Sequence, residues 1–451
     1  MPANLRTKLA FGTDAGTSEP PPDAGDLINA ARELAPKIEA ARADIEHERQ
    51  IPRALVDAMA EARLFALWLP KAFGGPELNL VDYIRVIGEL ARVDASAAWC
   101  ATVAACYSRI AGYLQPEIAR EIFGSGRTVV AGTINPRGKA FVVDGGYRVT
   151  GRWPYGSGIL HSTWTVGNCI VHDREGPRRA SGGAPDTRLA IFPTSAVEVI
   201  DTWHVSGLRG TGSHDYRVAD LFVRDDHSIS CFDAKPLQPG TLYAVPMITV
   251  LSVAIAAVPL GIARTAIDAA VELAQVKTPY QSLFLLRDMA TFQAAVGRAE
   301  ALWGSARTFL LATVGDLWDE VSSGMAASMR QRAQVRLACT QAAQSAAQAV
   351  DLMYNAGGGT SLTKAADWSV ASVTCMPAPS ISPHQRTAMR SAGASCSGST
   401  RDDHNSDPAE GIDSWPAFPR PRWQATSCAP SRANVSYWLP PSATRLSGMT
   451  F

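Results

Sequence analysis

The spacing of the apolar residues changes twice along this chain, and each change marks the border between two kinds of structure. From Gly25 to about Tyr113 the pattern is helical: Leu27, Ala30, Ala31, Leu34 and Ile38 recur at intervals of three and four with charged residues between them. Pro52 opens a second helix, where proline is tolerated in the first turn, and Leu55, Met59 and Leu64 continue its apolar face. Phe73-Gly74-Gly75-Pro76 is a turn, and helix resumes over Leu80–Leu90. Around Thr128 the period falls to two. Thr128–Gly132, Tyr147–Thr150, Thr163–Val171, Leu189–Phe192 and Val197–Ile200 read as strands between Gly, Pro and Asp turns, with a polar hairpin loop over Arg174–Asp186. Long helical patterns return from Val250 to Tyr354. The chain is therefore an α+β protein. Its parts are a disordered N-terminus (1–24), a helical domain (25–125), a central β domain (126–235), a helical bundle (236–365) and an irregular tail (366–451).

The charge balance narrows the function. Lys plus Arg is 42 and Asp plus Glu is 42, so nothing draws the chain to nucleic acid or an anionic membrane. Val245–Ile262 is the most apolar stretch; Pro246 and Pro259 interrupt it and charged helix follows, which predicts a buried helix rather than a span. Residues 1–19 have no apolar run behind their Arg and Lys, unlike a secretion signal. The eight cysteines form no CxxC pair, and Cys100, Cys106, Cys169 and Cys339 lie in apolar surroundings, as in a reduced cytoplasmic protein. His161, His172, His204, His214 and His227 show no metal-ligand spacing, so no metal is expected. His47 and Glu48 read as a solvated helix face.

Three motifs carry a more specific message. The first is Phe73-Gly74-Gly75 followed by Asp94-Ala95-Ser96-Ala97-Ala98-Trp99. The second is Gly145-Gly146-Tyr147-Arg148-Val149-Thr150-Gly151-Arg152-Trp153-Pro154-Tyr155-Gly156-Ser157-Gly158. The third is Trp203-His204-Val205-Ser206-Gly207-Leu208-Arg209-Gly210-Thr211-Gly212-Ser213, and a weaker fourth runs over Val350–Gly358. The glycines of the third do not open a βαβ unit, since a strand follows at Arg217–Val223, so a dinucleotide loop is rejected and Arg209 is expected to hold the turn. In this order and spacing the motifs resemble the flavin-dependent monooxygenases of the acyl-CoA dehydrogenase superfamily, over roughly Gly25–Leu362.

That resemblance implies an N-terminal α-helical domain, a small β-barrel domain and a C-terminal four-helix bundle, incomplete here, assembled as a homotetramer. FAD or FMN would lie between the β domain and the bundle, reduced by a separate flavin reductase. Ser157 would set its hydroxyl near the flavin N5, Tyr155 would pack on the ring, and Asn135 would face it from another β-domain loop. Trp99 and Tyr107 would line the pocket for a small aromatic substrate. A flavin needs an aromatic wall and a few polar groups at its edge, which these residues supply. Tyr155 and Ser157 stand two apart, so on a regular strand both face one side. A structural strand role is the lesser alternative for Ser157, whereas core packing suits Tyr155 and Trp99 nearly as well as a cofactor wall.

Two departures stand out. The family often has a His where this chain has Tyr107, and a phenol is no easily ionised base near neutral pH. The other departure is the tail. Residues 368–451 hold 15 Ser and only two Leu, a disordered composition, yet four Trp. A reading-frame slip near Lys364–Asp367 reconciles these facts. Codons built from the third base of one residue and the first two of the next let Asp367–Pro377 encode Leu-Glu-Arg-Cys-Phe-Arg-Asp-Val-His-Ala, and let 394–402 encode Leu-Leu-Gly-Leu-Asp-Pro-Gly, both like family motifs. The family's histidines would then be encoded across Cys375 and Met376 and across Ser380 and Ile381, leaving no catalytic base in the frame as written; His384 is not a substitute.

The expected activity is hydroxylation of an electron-rich aromatic by reduced flavin and O2. The alternatives are acyl-CoA dehydrogenase chemistry, which needs a carboxylate base, and an inactive flavin-binding remnant.

Overall fold

The computed structural model describes residues 21–180, 182–231 and 233–362. Most of the expected disordered N-terminus, and the tail from 366 onward, lie outside these.

Five helices form the N-terminal part: α1 (Ala24–Glu48), α2 (Arg53–Glu61), α3 (Leu80–Val93), α4 (Ala95–Ser108) and α5 (Pro116–Phe123). Their ends follow local chemistry. Asp23 caps α1 in a reciprocal box with Asp26, and Asn79 caps α3. Asp94 ends α3 in extended backbone and caps α4, its Oδ1 accepting the Ala97 N–H at 2.8 Å. The Asp94-Ala95-Ser96 motif is thus the joint between two helices. The periodic residues Leu27, Ala31, Leu34 and Ile38 are all buried. In contrast, α4 is buried on nearly every side, which explains its run of small residues.

The eight strands are β1 (Val130–Val143), β2 (Gly146–Gly156), β3 (Trp164–Asp173), β4 (Gly176–Pro177), β5 (Thr187–Pro193), β6 (Glu198–Ile200), β7 (His214–Arg224) and β8 (Ser228–Ser230). They form one sheet in the order β6-β7-β2-β1-β3-β5-β8, with β4 on β3. All pairs are antiparallel except β1 with β3. The loop over Arg174–Asp186 is tied back by an Arg178–Asp186 ion pair.

The β core is organised by Trp153. Its indole is fully buried, stacks on Tyr216 at 5.3 Å and donates Nε1–H to the Asn168 carbonyl at 2.7 Å. It lies in a trough of three glycines on neighbouring strands. A Cβ at Gly138 would come within 2.3 Å of the ring, and one at Gly151 or Gly167 within 2.7 Å. Burying an indole contributes about 4–6 kcal/mol by its area, and the trough is what makes that burial possible.

Three long helices complete the described fold: α7 (Met247–Val276), preceded by the single turn α6 (Thr241–Ala244), then α8 (Ala290–Ser322) and α9 (Met329–Gly357). By length and composition α7 could cross a membrane, but 67% of its most apolar window is buried inside the protein. It packs against α3 where a Cβ at Gly261 would meet Ala91 at 2.5 Å and the Gly88 carbonyl at 2.7 Å. Arg109, also fully buried, joins the N-terminal helices to this bundle. Its guanidinium donates to the Leu242 and Val245 carbonyls and lies against the Tyr113 and Tyr243 rings.

The trough makes Gly167→Ala destabilising by about 1–3 kcal/mol, since the added methyl overpacks an immobile indole. Gly297→Ala, in a helix with open space around it, is neutral or stabilising. Urea unfolding of the two variants beside the parent checks this; equal midpoints would contradict it.

Candidate functional site

The second and third motifs meet at the inner end of β2. The pairing of β2 with β7 shifts register between Trp153 and Gly156, and Tyr155 takes a left-handed backbone, φ 64°. That bulge overturns the expectation that Tyr155 and Ser157 face one side. Tyr155 turns outward, 66% exposed, with its ring edge-on to Trp203 at 6.2 Å, while Ser157 turns inward and is buried. A non-glycine residue in the left-handed region is strained, and this one re-aims Ser157 two positions on.

Ser157 Oγ accepts the indole N–H of Trp99 at 3.0 Å and lies 2.7 Å from Ser213 Oγ. Ser213 Oγ is 2.6 Å from Thr211 Oγ1, which donates to the Leu208 carbonyl at 2.8 Å. Trp203 Nε1–H reaches the same carbonyl at 2.9 Å. All three motifs therefore meet in one hydrogen-bonded chain. Of the expected site residues, Trp99 and Ser157 are brought together here. Asn135 sits in the exposed bulge of β1 between Thr133 and Gly138, its backbone N–H on Thr133 Oγ1. Tyr107 is buried in a separate cluster with Leu69, Ile110, Val166 and Cys231, where burial pushes its phenol well above the ordinary value.

The third motif is anchored to the end of α1. Arg49 makes a two-pronged bond to Asp201, 2.7 and 2.8 Å, and also donates to the Trp203 carbonyl. This guanidinium holds the Asp201 carboxyl down at about 2. Arg209 donates to the Glu46 and Val205 carbonyls, so it serves the turn. Gly210 lies where a Cβ would strike Ile45 at 2.0 Å, and Gly212 has φ 49°. His214 Nδ1 accepts the Thr202 and Trp203 N–H groups, and burial lowers its pKa.

His161 has no metal-ligand spacing in the sequence, yet the fold singles it out. It is buried between Phe65 and the Gly158 turn, and neither ring nitrogen has a hydrogen-bond partner. Burial, with a smaller push from Arg53, lowers its pKa to about 4. A cavity of about 270 Å³ opens elsewhere, between α1, α3, α7 and α8. Four of its five arginines are already paired, Arg32 with Glu89, Arg85 with Asp82, Arg92 with Glu89 and Asp268, and Arg264 with Asp268 and Glu300. Among the described residues no cluster of metal-ligating side chains occurs.

Helices before and after a mixed sheet in the chain, with a buried hydroxyl chain running from α4 past the end of β2, define an acyl-CoA dehydrogenase-like scaffold. Residues 24–123 match the acyl-CoA dehydrogenase N-terminal domain, and residues 253–367 match its C-terminal domain. An indole-3-acetate monooxygenase of Pseudomonas putida is 32% identical over 307 residues, 68% of this chain and 76% of its own length. The HsaA monooxygenase from M. tuberculosis superposes with a TM-score of 0.75 at 25% identity, covering 85% of this chain and 99% of that one. XiaF from Streptomyces sp., solved in complex with FADH2 and glycerol, gives 0.74 at 25% identity, over 84% and 96%. The chain belongs to the acyl-CoA dehydrogenase superfamily, in its flavin-dependent monooxygenase branch.

The His161 environment sets a pH dependence. Its pKa is about 4 folded and about 6.5 unfolded, so below pH 6.5 the unfolded chain binds a proton that the folded one refuses. Stability falls as pH drops from 6.5 toward 4, by about 2 kcal/mol between pH 7 and pH 5 from this group. Urea unfolding at the two pH values should show that loss in the parent and about 2 kcal/mol less of it in His161→Gln; an identical loss in both would rule the assignment out.

Proposed function

We propose that this chain is the oxygenase component of a two-component system that hydroxylates a small, electron-rich aromatic such as a phenol. A separate reductase delivers FAD or FMN in its reduced form, and the protein works in the cytoplasm as a homotetramer. The reading rests on the family and on one observation: a buried serine hydroxyl, held between the Trp99 indole and Ser213, two residues along the chain from the Tyr155–Trp203 ring pair. The donor set suits a flavin. Ser157 keeps unused hydrogen-bonding capacity, Tyr155 and Trp203 offer aromatic faces, and the exposed bulge at Asn135 offers polar groups. Bound reduced flavin supplies the electrons that activate O2 for transfer of one oxygen atom to the ring. Ser157 holds the polar edge of the cofactor, Trp99 fixes Ser157 and walls the substrate side, and Tyr155 packs on the ring system. Tyr107, packed in its own buried cluster with its phenol held neutral, supplies no base to this site.

With reduced FMN or FAD, 18O2 and a panel of phenols, one product should carry a single labelled oxygen, read by mass spectrometry. Anaerobic bleaching of bound oxidised flavin by an acyl-CoA, with no labelled product, would favour a dehydrogenase instead.

We further propose that the residues from about Lys364 onward are translated out of frame. The match to the C-terminal family domain ends at residue 367, beside the inferred slip, and both displaced motifs emerge in a single shifted frame. Resequencing the coding DNA over codons 355–405 should reveal one missing or extra base. An unchanged sequence would refute the slip and leave this polypeptide without the family's terminal histidines, which favours the remnant reading.

A further inference from the structure

The direction of every proton in the hydroxyl chain can be settled by counting. The Leu208 carbonyl can only accept, and Thr211 spends its one hydroxyl proton on it. Thr211 therefore accepts from Ser213, across 2.6 Å. Ser213 then has no proton left for Ser157, so Ser157 donates to Ser213 across 2.7 Å. The Trp99 indole can only donate, and it gives its N–H to Ser157. The protons all point one way, from Trp99 through Ser157 and Ser213 to Thr211 and the Leu208 carbonyl. That carbonyl also accepts Thr211 N–H at 3.1 Å and Trp203 Nε1–H at 2.9 Å, but Thr211 Oγ1 lies 2.8 Å from it, a separation two oxygens keep only with a proton between them. Reversing the chain would cost the Thr211–Leu208 bond in a buried setting.

Ser157 Oγ is thus left with a free lone pair and no proton to offer. A ligand atom facing it is bound well as a hydrogen-bond donor and poorly as an acceptor. The two oxidation states of a flavin differ in this respect at N5, which bears a hydrogen when reduced and is a bare acceptor when oxidised. We propose that Ser213 and Thr211 act as positioning residues that polarise Ser157 and so make the site select reduced over oxidised flavin. The inference rests on the proposed seat of Ser157 beside N5 and goes beyond it, because it assigns the selectivity to two side chains that meet Ser157 only in the folded chain.

The test is anaerobic titration of the full-length protein with photoreduced FMN and with oxidised FMN, each followed by fluorescence, in the parent and in Ser213→Ala, Thr211→Val and Thr211→Ser. The parent should bind reduced FMN more tightly. Ser213→Ala frees the Ser157 proton to meet an acceptor, and Thr211→Val lets Ser213 turn back. In both, the ratio of reduced to oxidised affinity should fall about tenfold, the worth of one buried hydrogen bond. The midpoint potential of the bound flavin should drop by about 30 mV correspondingly. Thr211→Ser keeps the chain and should keep the ratio and the potential. Two aliphatic variants that bind both forms with the parent's ratio would overturn the proposal while leaving the flavin reading intact. Failure of the parent to bind either form would overturn both together.

Discussion

The site depends on the burial of one indole. Trp153 can lie flat in the β domain only because Gly138, Gly151 and Gly167, from three adjacent strands, present no Cβ to it. With the ring pinned there and its N–H spent on Asn168, β2 has no freedom to slide against β7. The chain absorbs the mismatch immediately afterwards, in the bulge between Trp153 and Gly156, and the left-handed Tyr155 sends Ser157 inward toward α4. Packing in the core and placement of the hydroxyl are thus one event. A side chain large enough to order the sheet also fixes where the strand must break its alternation.

A second constraint holds the other half of the site. The Trp203–Ser213 segment is irregular, so its backbone groups need partners from outside the sheet. It finds them at the end of α1. Arg49 grips Asp201 and the Trp203 carbonyl, Arg209 grips the Glu46 carbonyl, and Gly210 lets the backbone press onto Ile45. With the segment fixed in this way the Leu208 carbonyl gathers three donors and gives the hydroxyl chain its direction. The N-terminal helices therefore shape the chemistry of a β-domain serine, through α4 by the Trp99 indole and through α1 by this docking. The C-terminal helices enter through α7 packed on α3, and the last described turn is held shut by Lys277, which donates to the Gly357 carbonyl and to Thr360.

Much was legible from residue order alone. The change of apolar period from helical to alternating and back placed the three regions, because burying one face imposes a fixed repeat on each kind of element. The motifs pointed to Trp99 and Ser157, and the predicted helix at 245–262 is the core of α7. Legibility failed where a local irregularity interrupts a repeat. Pairing Tyr155 with Ser157 on one face assumed a regular strand, and no residue near 155 announces the bulge that the Trp153 trough imposes. His161 stayed invisible for a related reason: its importance lies in having no partner, which no spacing records. Thr211 and Ser213 were within a recognised motif, but nothing in their order tells which hydroxyl gives and which receives.

The sequence by itself determined the α+β layout, the family and the residue types available to the site, since these follow from short-range periodicity and contiguous motifs. Only the tertiary structure decided that Trp99, Ser157, Ser213, Thr211 and the Leu208 carbonyl form one directed chain. Its members come from positions 99, 157 and 208–213. The direction depends on which groups can donate and which can only accept once they are brought within 3 Å, and that is a property of contacts between distant parts of the chain, not of the order of its residues.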